Sequence, residues 1–132
     1  MSTPNVQVIL QSILTATNNL VSPAPYIANF DFQNPTLNGS SIFFDPFFQA
    51  TGGGAAVSLP AAKVFLVAVQ NLSPVSPATN LTVTVTPFGG AASPIVLGPG
   101  GVYIYFDPTE AGQGISAVTL TGTGFAFVMA GA

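Results

Sequence analysis

Residues 80–106 read NLTVTVTPFGGAASPIVLGPGGVYIYF, and the fold class is decided here. Leu81, Val83 and Val85 alternate with Thr82, Thr84 and Thr86. A period of two is what a strand with one buried and one outward face requires. Pro87-Phe88-Gly89-Gly90 interrupts the alternation with turn residues. Pro94–Leu97 forms a second short strand, and Gly98-Pro99-Gly100-Gly101 marks a tight turn. Val102–Phe106 then alternates Val, Ile and Phe with Tyr103 and Tyr105, and Asp107-Pro108 ends it. The stretch contains no charged side chain.

The same texture extends in both directions. Downstream, Ile115–Thr121 and Phe125–Met129 read as strands separated by Thr-Gly-Thr-Gly. Upstream, Lys63–Leu72 is a long apolar run, the mark of a strand covered on both faces, and NLSPVSPATN (71–80) connects it onward through two prolines. Residues 22–61 are irregular and rich in Pro, Gly, Asn and Phe, with Tyr26–Phe32 and Ser41–Phe44 as short strands. FFDPFF, Phe43 to Phe48, sets four aromatics around an Asp-Pro turn. About eight short strands separated by turn signals predict an antiparallel β-sandwich, jelly-roll-like, over residues 22–132. No second helical pattern supplies the crossovers of a βαβ fold.

One segment breaks the rhythm. Over residues 3–21, Val6, Ile9, Leu10, Ile13, Leu14, Leu20 and Val21 fall on one stripe at helical spacing, opposite Gln7, Gln11, Ser12 and Asn18. Thr3 suits the N-cap and Pro4 the first helical position; Asn18-Asn19 and Ser22-Pro23 stop the pattern. An N-terminal amphipathic helical arm over residues 1–21 is therefore expected. Its stripe must be buried, either on its own β domain or against the same helix in neighbouring subunits.

A length of 132 residues suits one domain with its own core. Cysteine, histidine and tryptophan are absent, which removes disulfides and thiolate metal sites. Charged residues make up 4%, against about 25% in an ordinary soluble domain. Lys63 is the only basic side chain; the acids are Asp31, Asp45, Asp107 and Glu110. Phosphate recognition needs several cations, so nucleic acid is excluded as a partner, and anionic membrane surfaces with it. No run approaches ~18 uninterrupted apolar residues, and Met1-Ser2-Thr3-Pro4 lacks the basic start of a secretory signal. The chain reads as one made and used without export, and a mature exported chain with an added Met1 would read the same way.

Chemistry is scarce. Nucleophilic catalysis needs a base, and a Ser–Lys pair on Lys63 is the only arrangement the composition leaves. The carboxylate pairs are Asp31 with Asp45, or Asp107 with Glu110; more simply, Asp31 sits in a strand-like alternation between Phe30 and Phe32, and Asp45 and Asp107 each precede Pro as turn residues. DPTEAGQG, Asp107 to Gly114, offers oxygen ligands for calcium without EF-hand spacing. TGGGAA and GPGG lack the Lys and the following helix of a phosphate loop. Asn38, Asn71 and Asn80 each begin a glycosylation acceptor pattern. No enzyme activity, cofactor or metal is expected. The candidate contacts are instead Val6, Ile9, Leu10, Ile13 and Leu14 on the helix stripe, and Phe43, Phe44, Phe47 and Phe48 around the Asp-Pro turn.

NLTVTVTPFGG, SPIVLGPGGVYIYFDP, GISAVTLTGTG and the closing FVMAG resemble small β-rich virion proteins of tailed bacteriophages, among them capsid decoration, or cement, proteins. The resemblance runs from Lys63 to Gly131 and is one of strand-and-turn texture. It implies a structural virion protein, a homotrimer bound to the major capsid protein on the capsid surface and assembled in the host cytoplasm. It carries over no catalytic residue, and residues 22–61 lie outside it. Threonine in place of charge on outward faces fits a surface meant to be covered, since hydroxyls avoid the desolvation cost of ions. Two other readings stay open. One is a filament or adhesin subunit whose N-terminal segment completes the next copy, which a strand-like N-terminus would favour. The other is a carbohydrate-binding β module using Tyr103 and Tyr105 as a platform.

Overall fold

The computed structural model describes residues 6–9, 13–18, 26–31, 36–39, 42–74, 79–107 and 109–132. Every regular element among them is a strand: β1 Val6–Ile9, β2 Ile13–Asn18, β3 Tyr26–Asp31, β4 Thr36–Gly39, β5 Ile42–Gln49, β6 Ala55–Ala56, β7 Leu66–Asn71, β8 Leu81–Pro87, β9 Ser93–Leu97, β10 Val102–Phe106, β11 Ile115–Thr121 and β12 Phe125–Gly131. The protein is mainly β, with two four-stranded antiparallel sheets of order β10-β7-β12-β5 and β6-β11-β8-β9. Within them β5 pairs β12, β6 pairs β11, β7 pairs β10 and β8 pairs β9. This nesting is what results when one long antiparallel hairpin is folded over on itself.

The two sheets share one core. Val67, Val69 and Val128 of the first and Leu81, Val83, Val118 and Leu120 of the second belong to a single buried cluster, a sandwich-like arrangement. Burying each such side chain contributes about 1.5–3 kcal/mol. The alternation at residues 81–86 appears as expected: Leu81, Val83 and Val85 are buried, and the intervening threonines face outward.

Of residues 3–21, where a helix is expected, those described are strands: β1 and β2, which pair with β4 and β3. The reason is local chemistry. Val, Ile, Thr and Asn dominate residues 6–18; these are poor helix formers, and the Val, Ile and Thr among them suit strands. No charged residue is present there to form i,i+4 pairs. Residues 26–39 supply an antiparallel partner that satisfies the backbone instead. Thr3, Pro4, Leu10, Leu20 and Val21, also assigned to the helix, lie outside the described residues.

A second correction concerns FFDPFF. Strand β5 runs straight through the expected Asp45-Pro46 turn. Its register on β12 shifts there, between Ala126 and Val128, as a bulge requires. Proline is tolerated because β5 is an edge strand, where a missing N–H interrupts no ladder. Phe47 donates its backbone N–H to Asp45 Oδ1 at 2.9 Å, which closes the bulge. Upstream of β7, the run beginning at Lys63 becomes strand only at Leu66, with a single Val64–Ile115 bridge before it.

Candidate interaction surface

Register decides what each sheet shows to the outside. In β10, Tyr103 and Tyr105 lie opposite Val69 and Val67 and turn inward with them; Val102 and Ile104 lie opposite Gln70 and Ala68 on the outer face. In β12, Ala126, Val128 and Ala130 are fully buried, so Phe125, Phe127 and Met129 take the outer face. The large residues of this strand point out and the small ones in. Cross-strand neighbours explain it: Phe48 lies opposite Ala126 and Phe43 opposite Ala130. These two rings fill the interior that the alanines leave, large beside small. Phe43 and Phe48 pack edge-on at 6.4 Å between centroids, both partly buried against the core. The bulge is what lets Phe43 and Phe48, five positions apart, share the inner face.

The outer face of the β10-β7-β12-β5 sheet is consequently apolar; around Leu66 it is closed by Phe65, Phe106 and Met129, and the rest is open. Phe44 is 56% exposed, Phe47 72%, Phe125 48%, Val102 53% and Ile104 44%. Phe44 stacks edge-on against Phe127 at 5.3 Å, so the patch is ordered by its own rings. With Phe rings of about 200 Å² each, the exposed apolar area is on the order of 500 Å², in the range of the largest patches on monomeric proteins. Of the contact candidates read from the sequence, Phe44 and Phe47 lie on this face, while Phe43 and Phe48 face the core. Of the helical-stripe candidates, Val6 and Ile9 lie in β1 and Ile13 and Leu14 in β2. Leu10 lies outside the described residues.

The other sheet presents a different face. Thr84 lies opposite Thr119 and Thr82 opposite Thr121, a ladder of hydroxyls with exposed Val96 beside it. Neither outer face of the sandwich depends on ions.

The remaining candidates are placed as follows. Tyr103 and Tyr105 do share one strand face, but it is the inward one. With Val85, Ile95 and Ile115 they line a cleft of about 250 Å³ at the edge of the sandwich. The Tyr105 hydroxyl accepts the Gly114 N–H at 3.3 Å. Burial, and then the proximity of Tyr105, push the Tyr103 hydroxyl above its ordinary pKa. Lys63 Nζ sits 4.5 Å from the centroid of Phe88 and 6.0 Å from that of Phe65, a cation held over two aromatic faces. Both Asp107 carboxylate oxygens serve their own loop, accepting the Thr109 hydroxyl at 2.8 Å and the Gly112 N–H at 2.7 Å. These bonds, the Thr109 hydroxyl first, hold Asp107 below the usual carboxylate pKa. Among the described residues no three acidic, histidine or cysteine side chains gather as a metal site would need. Asn71, first residue of one glycosylation pattern, is 1% exposed with its amide fully engaged, so it is closed to modification in the folded chain.

The sequence hid the open face. In β10 and β12 both alternating sets are apolar, so periodicity marks two faces without saying which is inside. The one legible signal was the small set Ala126, Val128 and Ala130 beside the bulky Phe125, Phe127 and Met129. No protein family, curated protein or solved structure matches this chain.

Proposed function

We propose that the protein is a structural virion subunit of the capsid decoration type, which self-associates, as a trimer, and binds a capsid lattice through uncharged contacts. The observation that carries this reading is the open apolar face of the β10-β7-β12-β5 sheet in a chain with a single basic side chain. A lone particle would normally cover such a face with charge. A subunit destined to be covered avoids the desolvation that buried ions incur. The fold supports the same class. Counted from β5 as the first, the sheets run first-eighth-third-sixth and second-seventh-fourth-fifth, an order that supports a jelly-roll reading. Jelly rolls recur in viral capsid domains, and also in lectins and cupins, so the surface rather than the fold selects among them.

Apolar and hydroxyl contacts are insensitive to salt, and repetition on a lattice multiplies weak ones. The test is retention on capsids from 50 mM to about 1 M salt, alongside the solution mass. Retention across the range with a trimeric mass is expected. Retention that collapses at moderate salt, or a monomer at micromolar concentration, would overturn the proposal.

A second reading, a filament subunit whose N-terminal segment completes the next copy, is favoured by one observation: β1 and β2 are strands. Electron microscopy separates the two. Closed small oligomers support the first and open fibres the second.

A further inference from the structure

One sheet edge of the sandwich is left unguarded. The two four-stranded sheets end at β10, β5, β6 and β9. An edge strand offers a row of unpaired N–H and C=O groups, and proteins ordinarily blunt it with charge, proline, a bulge or brevity. β5 carries Asp45-Pro46 and a bulge, β6 is 2 residues long, and β9 contains Pro94. β10 has none of these devices: its 5 residues, Val102 to Phe106, hold an unbroken register on β7 without charge or proline. Among the described residues no strand lies on its far side.

The bonds to β7 fix which backbone groups remain over. Asn71 donates its N–H to the Gly101 carbonyl at 2.9 Å, and Asp107 donates its own to the Phe65 carbonyl at 2.8 Å. Residues of an antiparallel strand turn their N–H and C=O alternately to one neighbour and the other. Tyr103 and Tyr105 therefore bond to β7, while Val102, Ile104 and Phe106 aim both groups at the open edge.

We propose that β10 pairs antiparallel with β10 of a second copy of the chain, about a two-fold axis at Ile104. In that register Ile104 lies opposite its own counterpart, Val102 opposite Phe106 of the second copy, and Tyr103 opposite its Tyr105. The residues that exchange bonds are then the three whose groups face outward, so the open N–H and C=O groups of each strand satisfy those of the other. A slip of one residue would oppose groups already bonded to β7 and satisfy none. The side chains agree with the same register. Val, Ile and Phe meet on the outer face, and tyrosine meets tyrosine on the inner one, as cross-strand pairs do. The cleft of about 250 Å³ beside Tyr103 and Tyr105 gives the incoming tyrosines room. No charged side chain occurs from Asn80 to Phe106, so none repels its copy at the axis. A five-residue edge is about 17 Å long, and two sheet layers with their side chains are about 25 Å thick. Side-to-side contact thus buries on the order of 1,000 Å² in total, the lower limit of a specific interface. Such a contact is weak in dilute solution and is reinforced where copies are held together. It uses no capsid contact, so it goes beyond the decoration reading; where copies associate in threes, it joins one trimer to the next.

The absence of cysteine makes the test direct. Val102 and Ile104 are 53% and 44% exposed, so a cysteine at either leaves the core intact. Across the axis two copies of residue 104 have Cα atoms about 5.5 Å apart, within disulfide reach, whereas two copies of residue 102 are about 14 Å apart. Under mild oxidation at about 100 µM, Ile104→Cys is expected to form covalent dimer at least about tenfold faster than Val102→Cys or than Thr84→Cys on the threonine face. Amide exchange reads the same contact in the wild type: the N–H groups of Val102, Ile104 and Phe106 should slow severalfold between about 10 µM and about 1 mM, with the rest of the sandwich unchanged. Equal bridging at 102 and 104, no bridging at 104, or exchange at Ile104 that is independent of concentration would overturn the proposal. Capsid retention tests the decoration reading separately, because either result can stand without the other.

Discussion

Replacing Asn71 by Ala should unfold this protein under conditions where the wild type is stable. Asn71 closes β7 and is the most enclosed polar side chain among the described residues, at 1% exposure. Its Nδ2 donates to the Thr79 carbonyl at 3.0 Å and the Leu97 carbonyl at 2.9 Å, and its Oδ1 accepts the Ser73 N–H at 2.9 Å. One amide therefore ties the end of β7 to the segment entering β8 and to the end of β9, across both sheets. Asn71→Ala strands two carbonyls and one N–H. Each buried orphan costs about 1–3 kcal/mol. The Thr79 site is only partly buried and recovers some of its loss from water. The expected destabilisation is about 3–4 kcal/mol, a large share of a typical 5–15 kcal/mol. At this chain length that lowers the Tm by roughly 10–15 °C. The chain has no tryptophan, so urea unfolding followed by far-UV circular dichroism is the assay, with a lower midpoint at unchanged slope as the signature. Asn71→Asp sharpens the test. It keeps the acceptor for Ser73 but turns a carboxylate toward two carbonyls, and burial with that repulsion raises its folded pKa above about 3.9. The folded state then holds the extra proton, so this variant gains stability as pH falls from 7 toward 4. A loss below about 1 kcal/mol for Asn71→Ala, or flat stability for Asn71→Asp between pH 7 and 4, would refute the accounting.

Two other perturbations test the loops around the sandwich. Gly114 adopts φ +76°, and a Cβ there would run into Lys63 Cγ, so Gly114→Ala should lose about 1–3 kcal/mol in the same urea assay and loosen the seat of Lys63 over Phe88. Asp107 has a depressed folded pKa, so its contribution is present above about pH 4 and disappears as pH falls through the folded value. Asp107→Asn should therefore be less stable than wild type at pH 6 and converge on it near pH 2 in thermal melts, and a gap that widens on acidification would contradict this assignment.

How much of this was legible beforehand differs by segment, for physical reasons. At residues 81–86 one alternating set is aliphatic and the other hydroxylic, so strand, buried face and outward face all follow from water's preference between them. The aliphatic and threonine content and the turn glycines likewise determined a β-rich chain. Three matters were left to tertiary structure. Residues 6–18 carry apolar residues compatible with either period, and the choice fell to pairing with residues 26–39, a partner that spacing along the chain does not reveal. FFDPFF looked like a turn because Asp-Pro favours one locally; edge position in the sheet turned it into a bulged strand. Which apolar side of β10 and β12 faces out depended on Phe43, Phe48, Tyr103 and Tyr105 filling the interior first. Local chemistry sets what a strand is, but only its neighbours decide which of two greasy sides meets water, because packing is settled by volume shared across strands and not by the order of residues within one.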